Sequence, residues 1–355
     1  MEDKELERTA QALVAEGKGI LAADETVSTL TKRFAALKIE STADSRRAYR
    51  EMFFTTPDIG AFISGVILQD ETIRQKNPAG IPLPELLSKQ GIFPGIKVDT
   101  GAKPLAGSPD EKVTEGLDGL RDRLQEYAAM GARFAKWRAV FSITDAFPSR
   151  MCIDVNAHAL ARYAALCQEQ GIVPIVEPEV LMNGPHAIDR CEDVTGSVLH
   201  AVFNELHTQR VRLEGMLLKP NMVLSGQENR RQATVDEAAA ATLRCLRRHV
   251  PPAVPGIVFL SGGQSDVLAT THLNAINKLD VTKPWRISFS YGRALQDAAM
   301  QAWHGEQRNL KAGQEAFSTR ARSNSAAALG NYTGALERTH AGAGATPHRG
   351  EWHDD

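Results

Sequence analysis

Lys219 closes the apolar run Gly215-Met216-Leu217-Leu218 and is followed by Pro220. Such a run predicts a buried strand that ends at the proline. An ammonium group there loses its hydration, which is costly unless other groups compensate. A lysine that attacks a carbonyl must be neutral, and burial beside a second cation favours the neutral amine. The run alone leaves two interpretations open: a nucleophilic amine, or a side chain that reaches past the strand end to solvent.

Charged side chains also end four other predicted strands. They are Asp24 at the first, Lys97 and Asp99 at the third, Lys136 and Arg138 at the fourth, and Glu177 and Glu179 at the fifth. Three of these sets are spaced i, i+2, so both members of each pair point to the same face of a strand. Charges gathered in a water-poor cavity shift one another's pKa values. The set is suited to imine chemistry on a carbonyl compound.

Two glycine-containing segments follow the seventh and eighth predicted strands. They are Leu260-Ser261-Gly262-Gly263-Gln264-Ser265 and Phe289-Ser290-Tyr291-Gly292-Arg293. Glycine lets a phosphate approach backbone N–H groups, and an arginine adds a charge-assisted contact. A second cationic group, Lys32 and Arg33 with the hydroxyls of Thr26, Ser28 and Thr29, follows the first strand. This second group is either a phosphate site or a solvated helix start.

These residues must be positioned by the eight β-type runs that recur along the chain. The runs are Gly19–Ala23, Ile63–Leu68, Gly95–Val98, Phe134–Val140, Val173–Glu177, Gly215–Lys219, Gly256–Leu260 and Arg286–Ser290. Helical patterns separate them, so the sequence predicts an α/β fold, a (β/α)8 TIM barrel, whose active site lies at the C-terminal ends of the strands. An open doubly wound sheet is the alternative, but no Gly-x-Gly-x-x-Gly opens a helix after the first strand.

The domain organisation follows from length and local composition. The chain has 355 residues, which suits one barrel domain over residues 1–328 that includes an N-terminal helix against the barrel bottom. Beyond residue 328 the chain is rich in glycine and alanine. Such a segment buries little surface, so a flexible C-terminal tail is expected over residues 329–355.

The composition of the chain limits the classes of partner, the location and the cofactors that are expected. A formal net charge of −2 gives no reason to expect nucleic acid or a membrane surface as a partner. The four cysteines are widely separated and the N-terminus has no apolar signal core, so a cytoplasmic protein is expected. The ten histidines form no metal-binding motif, which predicts an enzyme that needs neither a metal nor another cofactor.

The motifs, taken together, resemble the class I fructose-1,6-bisphosphate aldolases of glycolysis. The matching segments, in family order over residues 10–330, include Lys18–Glu25, Gly95–Asp99, Phe134–Arg138, Gly171–Glu179, Leu217–Met222, Phe259–Ser265 and Phe289–Leu295. The resemblance implies reversible cleavage of fructose 1,6-bisphosphate to dihydroxyacetone phosphate and glyceraldehyde 3-phosphate through a lysine Schiff base. It also implies a homotetramer.

The resemblance implies a role for each matching residue. Lys219 is the imine-forming amine, Glu177 the acid and base, and Asp24, Lys136 and Glu179 the neighbours that tune them. The residues implied to bind the C1 phosphate are Ser261, Gly262, Gly292 and Arg293. The residues implied to lie near the C6 end of the substrate are Lys97, Arg33 and Arg138, with Thr26 and Thr29, and Ser290 lines the site.

Two departures from the family pattern limit what can be transferred. Thr26 and Thr29 stand where the family usually has serines, which leaves affinity for a C6 phosphate open. Animal members end in a tyrosine that assists proton exchange, whereas this sequence ends Glu351-Trp352-His353-Asp354-Asp355. Two alternatives therefore stand beside the leading interpretation: a Schiff-base aldolase preferring a related phosphosugar such as fructose 1-phosphate, and a non-catalytic scaffold protein that keeps the fold.

Overall fold

A computed structural model describes residues 2–338 of the chain. Eight parallel strands close into a barrel, in which β1 pairs with both β2 and β10. The strands are β1 (Gly19–Ala22), β2 (Ile63–Leu68), β3 (Phe93–Lys97), β4 (Gly101–Leu105), β5 (Ser108–Glu115), β6 (Phe134–Phe141), β7 (Val173–Val180), β8 (Leu217–Leu218), β9 (Gly256–Phe259) and β10 (Arg286–Tyr291). All but β4 and β5 belong to the barrel, so the predicted (β/α)8 fold is confirmed.

Helices surround the barrel and connect successive strands. They are α1 (Glu2–Leu13), α2 (Val27–Ala36), α3 (Ala43–Phe54), α4 (Asp70–Arg74), α5 (Leu83–Lys89), α6 (Leu120–Ala129), α7 (Arg150–Glu169), α8 (Ile188–Thr208), α9 (Val235–His249), α10 (Asp266–Lys278), α11 (Arg293–Trp303), α12 (Leu310–Ala328) and α13 (Ala335–Arg338). Within residues 2–338, no helix is both long and apolar enough to cross a membrane.

Strand β7 is longer than the sequence predicts, and it carries Pro178 in its interior. It pairs with β6 along its whole length. Alternate residues of a parallel strand point their backbone groups to opposite neighbours, and the Val176 carbonyl accepts from Lys219 on the β8 side. Pro178 therefore faces the same side, beyond the last residue of β8, where its missing N–H costs no strand pairing.

Strand β8 is shorter than predicted. Leu213–Gly215 form a 3-10 turn, and only Leu217 and Leu218 count as strand. The Lys219 N–H still donates to the Val176 carbonyl at 2.8 Å, but Pro220 has no N–H with which to continue the pairing. Lys219 thus lies directly past the strand end, at the opening of the barrel.

The hairpin formed by β4 and β5 is absent from the sequence-based prediction. It leaves the barrel after β3, and its residues are mostly exposed or half-buried, with Leu105, Glu111 and Thr114 buried. Thr114 Oγ1 donates to the Arg138 carbonyl at 2.7 Å. The hairpin therefore braces the end of β6 that carries charged side chains.

Helix α1 closes the N-terminal end of the barrel, as the sequence predicts. Leu6, Ala10, Leu13 and Val14 are buried and form one apolar cluster with inward-facing strand residues. The cluster includes Phe134 at the start of β6. We call this end of the barrel the bottom and the opposite end the mouth.

The predicted tail begins directly after α12. Its residues 329–338 are described: Tyr332 is buried, its N–H donates to Asn274 Oδ1 at 2.9 Å and its hydroxyl donates to Glu337 at 3.0 Å. Glu337 forms an ion pair with Arg320 of α12. This part of the segment therefore packs against α10 and α12, and residues 339–355 lie outside the described residues.

Candidate active site

The mouth brings the charged residues of four strand ends into contact. Lys219 Nζ lies 3.1 Å from Glu177 Oε1, and Lys136 Nζ lies 3.3 Å from the other oxygen of the same carboxylate. Lys136 also reaches across the barrel to Asp24 Oδ2 at 2.7 Å. Lys219, Lys136 and Glu177 are each at most 4 % exposed. The structure thus builds two ammonium groups around one buried carboxylate.

Burial and charge oppose each other in this cluster. Burial alone would raise the pKa of Asp24, but Lys136 and Lys219 outweigh it and lower the pKa to about 2. Burial likewise favours protonated Glu177, yet Lys136, Lys219 and Arg138 hold its pKa below the ordinary value. For Lys136, burial disfavours the cation, but the carboxylates of Asp24, Glu177 and Asp99 raise its pKa. The neighbouring cations therefore favour the ionised form of Glu177.

Asn221 fixes the position of the chain around Lys219. Its Oδ1 accepts from the Val180 N–H at 2.9 Å, and its Nδ2 donates to Thr195 Oγ1 at 3.1 Å. The side chain thereby joins the ends of β7 and β8 to helix α8. Because the Asn221 amide is buried and bonded on both sides, it keeps the strand bearing Glu177 in register with Lys219.

A second group of charges lies beside this cluster. Lys97 Nζ donates to Asp99 Oδ1 at 2.6 Å, and Arg138 Nε donates to Glu179 Oε2 at 2.6 Å. Asp99 Oδ2 also accepts from the Arg138 backbone N–H at 3.3 Å. The i, i+2 pairs of the sequence therefore do face the mouth, and each cation has a carboxylate beside it.

One side of the mouth has the geometry of an anion cradle. Gly262 and Gly263 adopt positive φ angles of 59° and 81°, a conformation that glycine adopts without strain. The guanidinium of Arg293 lies close to Gly263: a Cβ atom placed on Gly263 would be 3.9 Å from Arg293 Nη2. Arg293 also begins α11, with Gly292 as the preceding cap, and a helix N-terminus presents free N–H groups to an anion.

Ser290 and Ser261 line the same side. The hydroxyl of Ser290 is buried and has no hydrogen-bond partner within the described residues. A buried hydroxyl without a partner is costly. A substrate hydroxyl or phosphate oxygen would remove this cost. Ser261 is buried at the start of the glycine turn, and its carbonyl accepts from the Gln264 N–H at 3.1 Å.

The glycine turn is held from behind by Gln264 and His272. Gln264 Nε2 donates to the Ser261 carbonyl at 3.0 Å, and Gln264 Oε1 lies 2.6 Å from His272 Nδ1. Burial lowers the pKa of His272 to about 4, so the ring is neutral at pH 7. Because Gln264 Oε1 can only accept, we assign the proton of the neutral ring to Nδ1.

After the neighbouring strand β1, three hydroxyl groups gather at the start of α2. Thr26 Oγ1 lies 2.9 Å from both Ser28 Oγ and Thr29 Oγ1, and it accepts from the Thr29 N–H at 3.2 Å. Thr26 is the N-cap of the helix. The cluster is exposed, so the predicted hydroxyl set is present at a helix N-terminus that can receive an anion.

Arg33 lies in the last turn of α2, more than one helical turn from these hydroxyls. Its guanidinium is surrounded by side-chain oxygen atoms. Its guanidinium pairs with Glu25, donates to Gln296 Oε1 at 2.8 Å and pairs with Asp297 at 2.8 Å. Burial disfavours the cation, but Tyr49, Glu25 and Asp297 together raise the pKa of Arg33. The network joins α2 to α11, which makes Arg33 a structural link between the segments that follow the adjacent strands β1 and β10.

Several positioning residues are not singled out by the sequence. Asn221 follows the predicted strand directly, so a polar side chain after Lys219-Pro220 is a usable signal. His272 has none, because its contact with Gln264 depends on how α10 packs. Within residues 2–338, no three His, Cys, Asp or Glu side chains are arranged to hold a metal ion.

The site and fold together define a class of protein: a (β/α)8 barrel whose mouth holds a buried lysine against a carboxylate, with a glycine turn and a hydroxyl cluster beside them. This arrangement suits covalent catalysis by an amine. It contains the elements needed to attack a carbonyl, move protons and hold phosphate groups.

Comparison with known proteins gives the family. The family model for glycolytic class-I fructose-bisphosphate aldolase matches residues 5–348. A probable class 1 fructose-bisphosphate aldolase of Xylella fastidiosa is 56 % identical over 335 residues, covering 94 % of this chain and 100 % of its own. A cytosolic aldolase of Arabidopsis thaliana is 53 % identical over 93 % of this chain and 92 % of its own.

A solved structure agrees with this result. The fructose-bisphosphate aldolase of Plasmodium falciparum superimposes with a TM-score of 0.92 at 50 % identity, over 94 % of this chain and 96 % of the other. The chain belongs to the class-I fructose-bisphosphate aldolase family, a family of lyases. The resemblance inferred from the motifs is confirmed.

Proposed function

We propose that this protein cleaves fructose 1,6-bisphosphate reversibly into dihydroxyacetone phosphate and glyceraldehyde 3-phosphate, through a Schiff base on Lys219. The observation that carries the proposal is the 3.1 Å contact between Lys219 Nζ and Glu177 Oε1 in a buried site. An amine and a proton acceptor at this distance are the pair that imine formation needs.

The reaction begins when ionised Glu177 takes a proton from the ammonium group of Lys219, and the resulting neutral amine attacks the C2 ketone. The resulting carbinolamine takes a proton from the protonated form of Glu177 and loses water, which leaves an iminium ion. Ionised Glu177 then removes the proton of the C4 hydroxyl. Because the electron pair of the breaking C3–C4 bond moves into the iminium, glyceraldehyde 3-phosphate leaves and a neutral enamine remains. Protonation at C3 and hydrolysis release dihydroxyacetone phosphate.

Neighbouring residues support these steps. Lys136 contacts Glu177 and Asp24, so it stabilises the carboxylate form of both. Arg138 pairs with Glu179, which orients the guanidinium at the mouth. We assign positioning of the substrate hydroxyls to Asp24 and Glu179.

The two phosphates are assigned to the two sides of the mouth. The C1 phosphate is held by Ser261, Gly262, Gly292 and Arg293, with Ser290 facing the substrate. The C6 phosphate is held by Thr26, Thr29, Lys97 and Arg138. Arg33 supports the C6 side through its network with Asp297 and Gln296.

The test is a steady-state assay with two sugars. We expect kcat/KM for fructose 1,6-bisphosphate to exceed that for fructose 1-phosphate by about 10- to 100-fold, because the C6 phosphate adds charge-assisted hydrogen bonds. Lys219→Arg should abolish cleavage of both, whereas Lys89→Arg on the surface of α5 should not. Equal kcat/KM values would favour the fructose 1-phosphate alternative, and no cleavage of either sugar would favour a scaffold role.

We also propose a cytoplasmic homotetramer that acts in glycolysis and gluconeogenesis. The support is the family membership and the relatives whose names state that they are cytosolic. Light scattering coupled to gel filtration gives the mass directly. Four times the 38.6 kDa chain mass is expected, and a stable monomer would contradict the tetramer.

A further inference from the structure

A cleft at the barrel bottom, on the opposite end from the proposed active site, has a volume of about 310 Å³. It lies between the starts of β1 and β10 and the ends of α10 and α12. We call it the basal cleft and define it by Lys18, Lys283, Trp285, Arg286 and Leu329. Its size falls at the lower end of the ~300–1,000 Å³ range of small-molecule sites.

The charges of the basal cleft are unbalanced. Lys18, Lys283 and Arg286 line it, and Glu16 at the rim is the acidic residue among its lining residues. None of the three cations forms an ion pair with a carboxylate of the described residues. A concave surface lined mainly by positive charges raises the local concentration of anions.

Lys283 is the most confined of the three. Its ammonium donates to the carbonyls of Asn277 at 3.2 Å and Leu279, so one of its three N–H donors is left over. Burial lowers the pKa of Lys283, and Asp280 offsets this only in part. An anion in the cleft would compensate the lost hydration of this ammonium group.

An apolar wall accompanies the cations. Leu329 is 43 % exposed and Trp285 is buried beneath the cleft, with its indole N–H donating to the Pro251 carbonyl at 2.9 Å. The exposed Leu329 side chain, supported from below by Trp285, would pack against the carbon skeleton or ring of a ligand. We propose that the basal cleft binds a small phosphate ester at a site separate from the barrel mouth.

The test is isothermal titration calorimetry, in which AMP is titrated into the protein. Inorganic phosphate, which has no ring, is titrated in a parallel experiment. The cleft variant is Lys18→Glu/Arg286→Glu. The control variant, Arg308→Glu/Lys311→Glu, makes the same change in net charge at side chains that are 81 % and 88 % exposed, at the other end of α12. Equal melting temperatures establish that both variants are folded.

We expect wild type and control to bind AMP alike, and the cleft variant to bind it at least tenfold more weakly. Tighter binding of AMP than of phosphate would support a role for the apolar wall. Equal affinities would mean that the cleft recognises only the phosphate group. The proposal is overturned if wild type binds neither ligand, if all three proteins bind AMP equally, or if Arg293→Gln at the mouth abolishes binding while the cleft variant retains it.

Discussion

The two ends of the barrel are built from the same eight strands and bury opposite kinds of side chain. The mouth buries Lys136, Glu177 and Lys219, whereas the bottom buries hydrocarbon from Leu13 and Phe134. Buried charges seldom stabilise a fold relative to apolar packing. Under the proposed function, the mouth carries the chemistry, and the apolar packing at the bottom supplies the stability that tolerates the buried charges.

The largest effect is expected at the mouth. Glu177→Gln keeps the shape of the side chain but removes the proton acceptor between Lys136 and Lys219, so kcat should fall by about 10²- to 10⁴-fold. A coupled assay measures the loss, and circular dichroism should show an intact fold. As a control, Glu205→Gln on the surface of α8 should leave kcat unchanged. A near-normal kcat for Glu177→Gln would break the assignment of chemistry to this carboxylate.

A substitution at the bottom of the barrel should have the opposite effect: it should lower stability and leave kcat nearly unchanged. Phe134→Ala removes a fully buried ring and should lower the free energy of unfolding by about 3–5 kcal/mol. Because the ring is at the other end of β6 from Arg138, kcat per folded molecule should stay close to wild type. Urea unfolding and an active-site titration separate the two quantities. A large fall in kcat with unchanged stability would contradict the division between the two ends.

The pH dependence of stability should also distinguish a buried carboxylate at the mouth from an exposed carboxylate on the surface. The pKa of Asp24 is lowered from 3.8 to about 2 in the folded protein, so its stabilisation is present at neutral pH and is lost as pH falls through this interval. Asp24→Asn should therefore reduce the pH dependence of unfolding between pH 5 and 2 by about 2 kcal/mol. Asp44→Asn, at an exposed carboxylate of α3, is the control and should change the profile little.

The smallest effect is expected behind the phosphate cradle. His272→Leu leaves Gln264 Oε1 without its donor and should loosen the turn at Ser261. We expect KM to rise about three- to tenfold, with kcat nearly unchanged. His272→Asn keeps an N–H donor near the same position and should restore KM. If both variants match wild type, the contact does not position the cradle.

Much of the barrel could be predicted from the sequence because its strands are continuous apolar runs ended by charged residues. The ends of Val173–Val180 and Leu217–Leu218 could not, because they depend on whether a neighbouring strand continues beside Pro178 and Pro220. The β4–β5 hairpin could not be predicted either, because its strands are largely polar and do not alternate between buried and exposed residues.

The site could be predicted in part for a related reason. Lys219, Glu177, Lys136 and Asp24 are marked by charge at the ends of apolar runs. Which partner each one contacts depends on the closure of the barrel, as in the contact between Lys136 and Asp24 on opposite sides. The network that holds Arg33 depends on the packing of α11 against α2, which no local pattern reveals.

The most direct test of the lysine mechanism is to trap its intermediate. The protein is incubated with dihydroxyacetone phosphate and sodium borohydride, digested, and mapped by mass spectrometry. We predict one reduced adduct per chain, on Lys219, and none in Lys219→Arg. An adduct on Lys136 instead, or no adduct while the wild-type protein remains active, would contradict the mechanism.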